Sequence, residues 1–234
     1  MKAAAACRES RANRRLRVEF GAVLKRMHSM ALPDDLVASL PKETFNPKTS
    51  HIKAVETKID AGDFGNRFAQ KIAPFWREKR GEIRHIVERA ETLGRQLRAR
   101  RHNLMLCHSD IHIANLLIGN DGRLWIVDWD QPMLAPKERD LLFVTGVGIG
   151  GAVAPGVRGE ALFYSSYGTT EIDRMALAYY RYDWAIQDIG EFGAAIFVTP
   201  DVGEETLEDA EACLRFSFTP GSVAEAARQI DDWL

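Results

Sequence analysis

The stretch Cys107-His108-Ser109-Asp110-Ile111-His112-Ile113-Ala114-Asn115, followed by Ile126-Val127-Asp128-Trp129-Asp130, decides how this chain is read. Asp110 and Asn115 stand five residues apart on what reads as a loop between short apolar runs at 104–107 and 116–118. A third run, 124–127, follows Gly119-Asn120-Asp121-Gly122-Arg123. An Asn-Asp-Gly core tolerates the positive φ that closes a tight reversal cheaply, so residues 116–127 are expected to form a β-hairpin. That reversal returns Asp128 towards Asp110 and Asn115. Three oxygen-bearing side chains gathered in one small volume suit Mg²⁺, which keeps several waters and takes one or two carboxylates from a protein. Asn115 and Asp128 are the expected metal ligands, which leaves Asp110 free to accept or orient a hydroxyl proton.

Around this stretch the chain is ordinary. Its 234 residues suggest one domain or two small ones, long enough to bury a substantial core. A composition of 46% hydrophobic, 27% charged and 9% aromatic residues excludes disorder, collagen-like repeats and disulfide-dense miniproteins. Lys plus Arg number 31 against 33 Asp plus Glu, so the electrostatic footprint of a nucleic-acid partner is missing. Cys7, Cys107 and Cys213 are widely spaced and odd in number, which fits a reducing, cytoplasmic location rather than a disulfide framework. No apolar run approaches the roughly 18 residues of a membrane span, so no membrane partner is expected. The start is too short in apolar residues for a signal peptide before Arg8, Arg11, Arg14, Arg15 and Arg17 arrive. Helical spacing of Leu16, Phe20, Val23, Leu24 and Met27 runs through those arginines, which makes them a solvated helix face.

Periodicity predicts a first helix over 11–31, then a long connection with short helical pieces over 34–51. A long amphipathic helix over 75–101 follows, with Trp76, Ile83, Ile86, Val87, Ala90, Leu93 and Leu97 at spacings of three and four. After the hairpin, helices are expected at 136–145, 158–167, 171–197, 204–216 and 222–233, with Gly- and Pro-containing breaks. The expected class is α+β, mainly α.

The spacing His-x-Asp-x-x-x-x-Asn with a downstream Asp is that of a kinase catalytic loop. With Leu134-Ala135-Pro136-Lys137-Glu138-Arg139-Asp140-Leu141 and Ala178-Tyr179-Tyr180-Arg181-Tyr182, the chain resembles the aminoglycoside phosphotransferase family of kinase-like enzymes, most of all its spectinomycin phosphotransferase branch. The resemblance runs from about Phe20 onward. It implies a protein-kinase-like C-terminal lobe with the catalytic loop on a small β-hairpin, and a single large-lobe domain over 1–234 with a basic extension at 1–19. It implies Asp110 as catalytic base, Asn115 and Asp128 as Mg²⁺ ligands, ATP or GTP as donor, and a hydroxyl of a small polar, often cationic, acceptor. His108, His112 and Asp140 are expected to support the loop. Asp130, Asp183, Asp188 and Glu191 are expected candidates for contact with a cationic acceptor, with some of Tyr179, Tyr180, Tyr182 and Trp184 lining its pocket; the plainer reading beside it is that the acids are solvated and the rings are core. Antibiotic resistance goes with that branch, but a shared fold hosts many substrates.

Members of the family carry a small β-rich lobe with a phosphate-covering loop and a strand lysine ahead of this region. Lys25 falls on the first expected helix, and Lys53 and Lys58 in the irregular segment, so none has the strand setting. The chain resembles a large lobe alone, which favours self-association or pairing with a separately encoded lobe. Two other readings stand beside a kinase: a catalytically inactive kinase-like binding module, and a metal-dependent hydrolase using His108, Asp110 and His112. The Gly-rich run at 146–151 lacks the preceding strand of a dinucleotide fingerprint and reads as a loop beside the acceptor pocket.

Overall fold

The computed structural model describes residues 11–62, 64–121, 123–144 and 157–234. The chain divides into two compact units, each built from two separate segments: residues 1–43 with 103–172, and residues 44–102 with 173–234.

In the first unit, helix α1 (Arg11–His28) packs against helix α6 (Val157–Tyr167). The crossing is close because Gly21 has no side chain. A Cβ there would stand 2.5 Å from Ser166 Oγ and collide with the Phe163 carbonyl. Leu24 and Met27 of α1 share a core with Phe163 and Tyr167 of α6 and with Ile111, Leu141 and Val144. The short helices α2 (Asp34–Ser39) and α5 (Glu138–Leu141) also belong here. So do the strands β1 (Met105–Cys107), β2 (Leu116–Ile118), β3 (Leu124–Ile126) and β4 (Met133–Ala135). They form two antiparallel pairs, β1 with β4 and β2 with β3, so the expected hairpin is inserted between the strands of a second ladder. Residues 41–43 run beside β4, where Leu134 donates to Pro41 O and its carbonyl accepts from the Glu43 N–H.

The second unit is helical. Helix α7 (Arg174–Phe197) is its centre and packs against α3 (Ser50–Ala61), α4 (Arg67–Arg98), α8 (Glu204–Phe216) and α9 (Val223–Gln229). Asp173 caps α7 by accepting from the N–H groups of Met175 and Ala176. Gly193 of α7 lies against Trp76 of α4 and Val55 of α3.

Several expectations need correction. The long helix begins at Arg67, not 75, with Asn66 as its N-cap accepting from Ala69 N–H at 2.8 Å and Pro74 inside it. Lys53 and Lys58 sit on helix α3 rather than in an irregular segment. The expected helix over 136–145 is regular only over four residues. Strand β4 was not anticipated, because three residues after a proline carry no period and its partner lies 28 residues earlier in the chain (Met105 opposite Ala135 to Cys107 opposite Met133). Neither Asn120 nor Asp121 adopts a positive φ. Residue 122 lies outside the described residues; on either side of it Asp121 Oδ1 accepts from Arg123 N–H at 3.0 Å and Gly119 N–H donates to Arg123 O. The run at 146–151 lies outside the described residues.

Candidate active site

The loop leaving β1 is fixed from below. His108 and Ser109 are buried, and Ile111 is locked in the core. Ser109 has φ 75°, a left-handed backbone that a residue with a Cβ adopts only when its surroundings hold it. What holds it is Asp140 of α5, wholly buried, whose Oδ1 accepts from Ser109 N–H at 2.8 Å and Oδ2 from His108 N–H at 2.9 Å. His108 Nε2 donates to Val127 O at 2.9 Å, and its ring meets Trp129 edge-on at 4.7 Å. Val127 N–H in turn donates to Asn115 O. These bonds tie the loop, Asn115 at the end of the 3-10 turn Ile113–Asn115, and the residue before Asp128 into one arrangement.

On this base the polar side chains are set. Asn115 is buried, and its amide Nδ2 donates to Asp110 O at 2.8 Å and lies 3.4 Å from Asp110 Oδ2. Its Oδ1 accepts no hydrogen bond among the described residues. The Asp110 side chain keeps 39% of its surface exposed, yet its Oδ1 is itself buried without a hydrogen-bond partner, with His112 Nε2 3.6 Å away. Asp128 is exposed, has φ 66°, which aspartate tolerates, and its carboxylate has no protein partner among the described residues. Asp130 is likewise exposed and unengaged. Uncommitted carboxylate and amide oxygens of this kind match the oxygen-rich shell of a hard divalent cation.

The hydrolase reading does not fit this geometry. His108 Nε2 is committed to a carbonyl and its other nitrogen is buried. Among the described residues His108, Asp110 and His112 do not converge as a ligand group; the group whose ligand atoms do converge is His28, Cys107 and Asp140.

The other expected residues lie in the second unit, on α7. Asp183 is 5% exposed and accepts from Lys48 N–H at 3.1 Å and Gln187 Nε2 at 2.8 Å. Asp188 accepts from Trp184 Nε1 at 3.2 Å, while Glu191 is exposed. Glu191 and Gln187 line a cavity of about 440 Å³ with residues of the α3 N-terminus, among them Lys48 and Lys53. Tyr179, Tyr180 and Tyr182 are buried in the core, where α7 is packed against four helices. His28 of α1, which no local signal in the sequence ties to this loop, has its Nε2 3.1 Å from Asp140 Oδ2.

Residues 5–178 match the family model described as the phosphotransferase enzyme family. Among solved structures the chain is similar to spectinomycin phosphotransferase, APH(9)-Ia, in complex with ADP and spectinomycin, at 30% identity and a TM-score of 0.80 over 93% of this chain and 66% of that one. It is similar to the AMP-bound complex of the same enzyme at 28% identity and a TM-score of 0.78, over 92% of this chain and 66% of that one. The chain thus spans 66% of that relative's length. Among curated proteins none matches. Among the described residues no helix is long and apolar enough to cross a membrane. The mainly helical α+β architecture with small antiparallel hairpins is that of the C-terminal part of the kinase-like phosphotransferases, and the chain belongs to the phosphotransferase enzyme family.

Proposed function

We propose that this chain is the large lobe of a small-molecule kinase that moves the γ-phosphoryl group of ATP or GTP to a hydroxyl of a small polar acceptor of the aminoglycoside or aminocyclitol type. One observation carries the reading: the Asn115 amide is fastened to Asp110 while Asn115 Oδ1 and the Asp128 carboxylate are left uncommitted. Asp110 is the base: the exposed part of its carboxylate receives the acceptor proton, while His112, beside the buried Oδ1, orients the carboxylate. Asn115 and Asp128 would hold Mg²⁺, which when bound neutralises charge on the transferred phosphoryl group. His108 and Asp140 support the loop through the backbone bonds described above. Asp130 is the carboxylate proposed to meet a cationic acceptor beside the loop; in the second unit Glu191 lines a cavity of its own, while Asp183 accepts from Lys48 and Gln187 and Asp188 from Trp184.

The hairpin leaves Leu117, Ile118 and Trp125 exposed, an apolar surface suited to cover by a nucleotide base or a second lobe. Residues 1–234 act as one large-lobe domain in the cytoplasm, and the exposed hairpin face is covered either by a separately encoded β-rich lobe or by a second copy of this chain. A second reading is a catalytically inactive kinase-like binding module.

The test is phosphoryl transfer from labelled ATP or GTP to a panel of aminoglycosides and aminocyclitols, spectinomycin included. Asp110→Asn is expected to lower the rate about 10²- to 10⁴-fold while leaving thermal stability and nucleotide affinity unchanged. Transfer that survives the substitution sinks the assignment of the base, and nucleotide binding with no transfer by the unsubstituted protein selects the binding module.

A further inference from the structure

The buried group His28, Cys107 and Asp140 brings one ligand atom of each residue within 4.8 Å of the others, and no role described so far uses His28. A metal is one occupant to consider, but the bonding leaves it no room. The Cys107 thiol donates to Ala135 O and Pro136 O, and burial pushes its pKa well up, so it stays protonated and a poor ligand. Both oxygens of Asp140 already accept backbone N–H groups.

The same atoms make a complete hydrogen-bond relay. His28 Nε2 lies 3.1 Å from Asp140 Oδ2, and Nδ1 lies 2.8 Å from Tyr167 Oη. A carboxylate can only accept, so Nε2 carries the proton. In the neutral ring Nδ1 is then an acceptor, and Tyr167 must donate to it. Burial, followed by the nearby Glu138 charge, raises the Tyr167 pKa, so the phenol keeps the proton that this donation needs. Every polar atom in the line from Tyr167 through His28 to Asp140 is satisfied with one consistent set of protons.

We infer that His28, oriented by Tyr167, is a positioning residue that aims the Asp140 carboxylate at the N–H groups of His108 and Ser109 and so holds Asp110 at its working angle. The left-handed backbone of Ser109 is costly by itself, and an Asp140 side chain free to rotate would grip one N–H and release the other. The third bond, from His28, removes that freedom. Tyr167 is itself fixed, stacked on Phe163 at 5.2 Å, so the relay runs from the α1–α6 core to the loop.

The consequence for catalysis rests on the phosphotransferase reading, but the geometry does not, so the first measurement needs no activity. Amide hydrogen exchange is read by NMR on the full chain and on His28→Leu, His28→Gln and Tyr167→Phe. Glutamine can donate to Asp140 and accept from Tyr167, as histidine does. Exchange at His108 and Ser109 is expected to quicken about tenfold in His28→Leu, by a smaller factor in Tyr167→Phe, and to stay near the original in His28→Gln, while amides of α1 keep their protection. Exchange that is unchanged in His28→Leu and Tyr167→Phe, or that rises equally throughout α1, overturns the proposal. Should His28→Leu fail to fold, the Tyr167→Phe and His28→Gln pair still decides it. Where transfer is measurable, kcat falls and KM holds in His28→Leu, with recovery in His28→Gln. An inactive unsubstituted protein removes the phosphotransferase reading and leaves the exchange result standing.

Discussion

Asp140 is the side chain on which most of the loop depends. It is wholly buried and receives three N–H donors, two from the backbone of the loop and one from His28. Asp140→Asn keeps the shape but turns an amide NH₂ towards a backbone N–H, which leaves buried donors facing each other. The expected loss is about 3 kcal/mol of unfolding free energy, read from urea titration at neutral pH. A loss below about 1 kcal/mol would mean that the loop holds its left-handed turn without help. The identity of Asp140 was legible from its Pro-Lys-Glu-Arg-Asp-Leu setting, because that text travels with the resemblance. The partner His28 was not legible. It lies 112 residues away, and a lone histidine at the end of an amphipathic helix carries no sign of what it touches.

At the scale of elements, periodicity found the long helices because one apolar stripe repeats along each, and it erred where a local signal opposed a distant one. Pro74 reads as a helix boundary, at a cost of about 3 kcal/mol inside a helix. Yet Phe68, Ala69, Ile72 and Ala73 continue the buried face of α4 on its far side, and Asn66 supplies the cap, so packing carries the helix through the proline. Gly193 shows the same contest in reverse. Alanine is the better helix former by about 1 kcal/mol. A Cβ there would lie 2.7 Å from the Trp76 ring and 3.2 Å from Val55 Cγ2, and Trp76 is a buried ring with nowhere to go. Gly193→Ala is therefore expected to destabilise by about 1 to 2 kcal/mol net, measured by chemical denaturation; a gain in stability would show that α7 can shift away from α4.

For the molecule as a whole, the cysteine and tyrosine side chains with raised pKa values share burial as their first cause. Burial first, then the Asp140 charge, raises the Cys107 thiol; burial, then Glu160, pushes Tyr164 up to about 12; burial also raises Tyr167 and Tyr182. In each case the folded state holds a proton that the unfolded chain gives up earlier, near pH 9 for a thiol and near 10 for a phenol. The unfolded state then binds fewer protons, so stability must fall as pH rises above about 9 and continue to fall through the folded-state values. Urea midpoints between pH 7 and 11 check this, and a flat profile would contradict it. The sequence by itself determined the class and the family resemblance and singled out Asp110, Asn115 and Asp128 as the proposed site, because these rest on local spacing and on turn chemistry within a single stretch. Only the tertiary structure decided that α7 tyrosines are core, that β4 pairs with β1, and that His28 reaches Asp140. Those facts depend on which distant segments meet, and no period within a sequence window encodes a contact made across the chain.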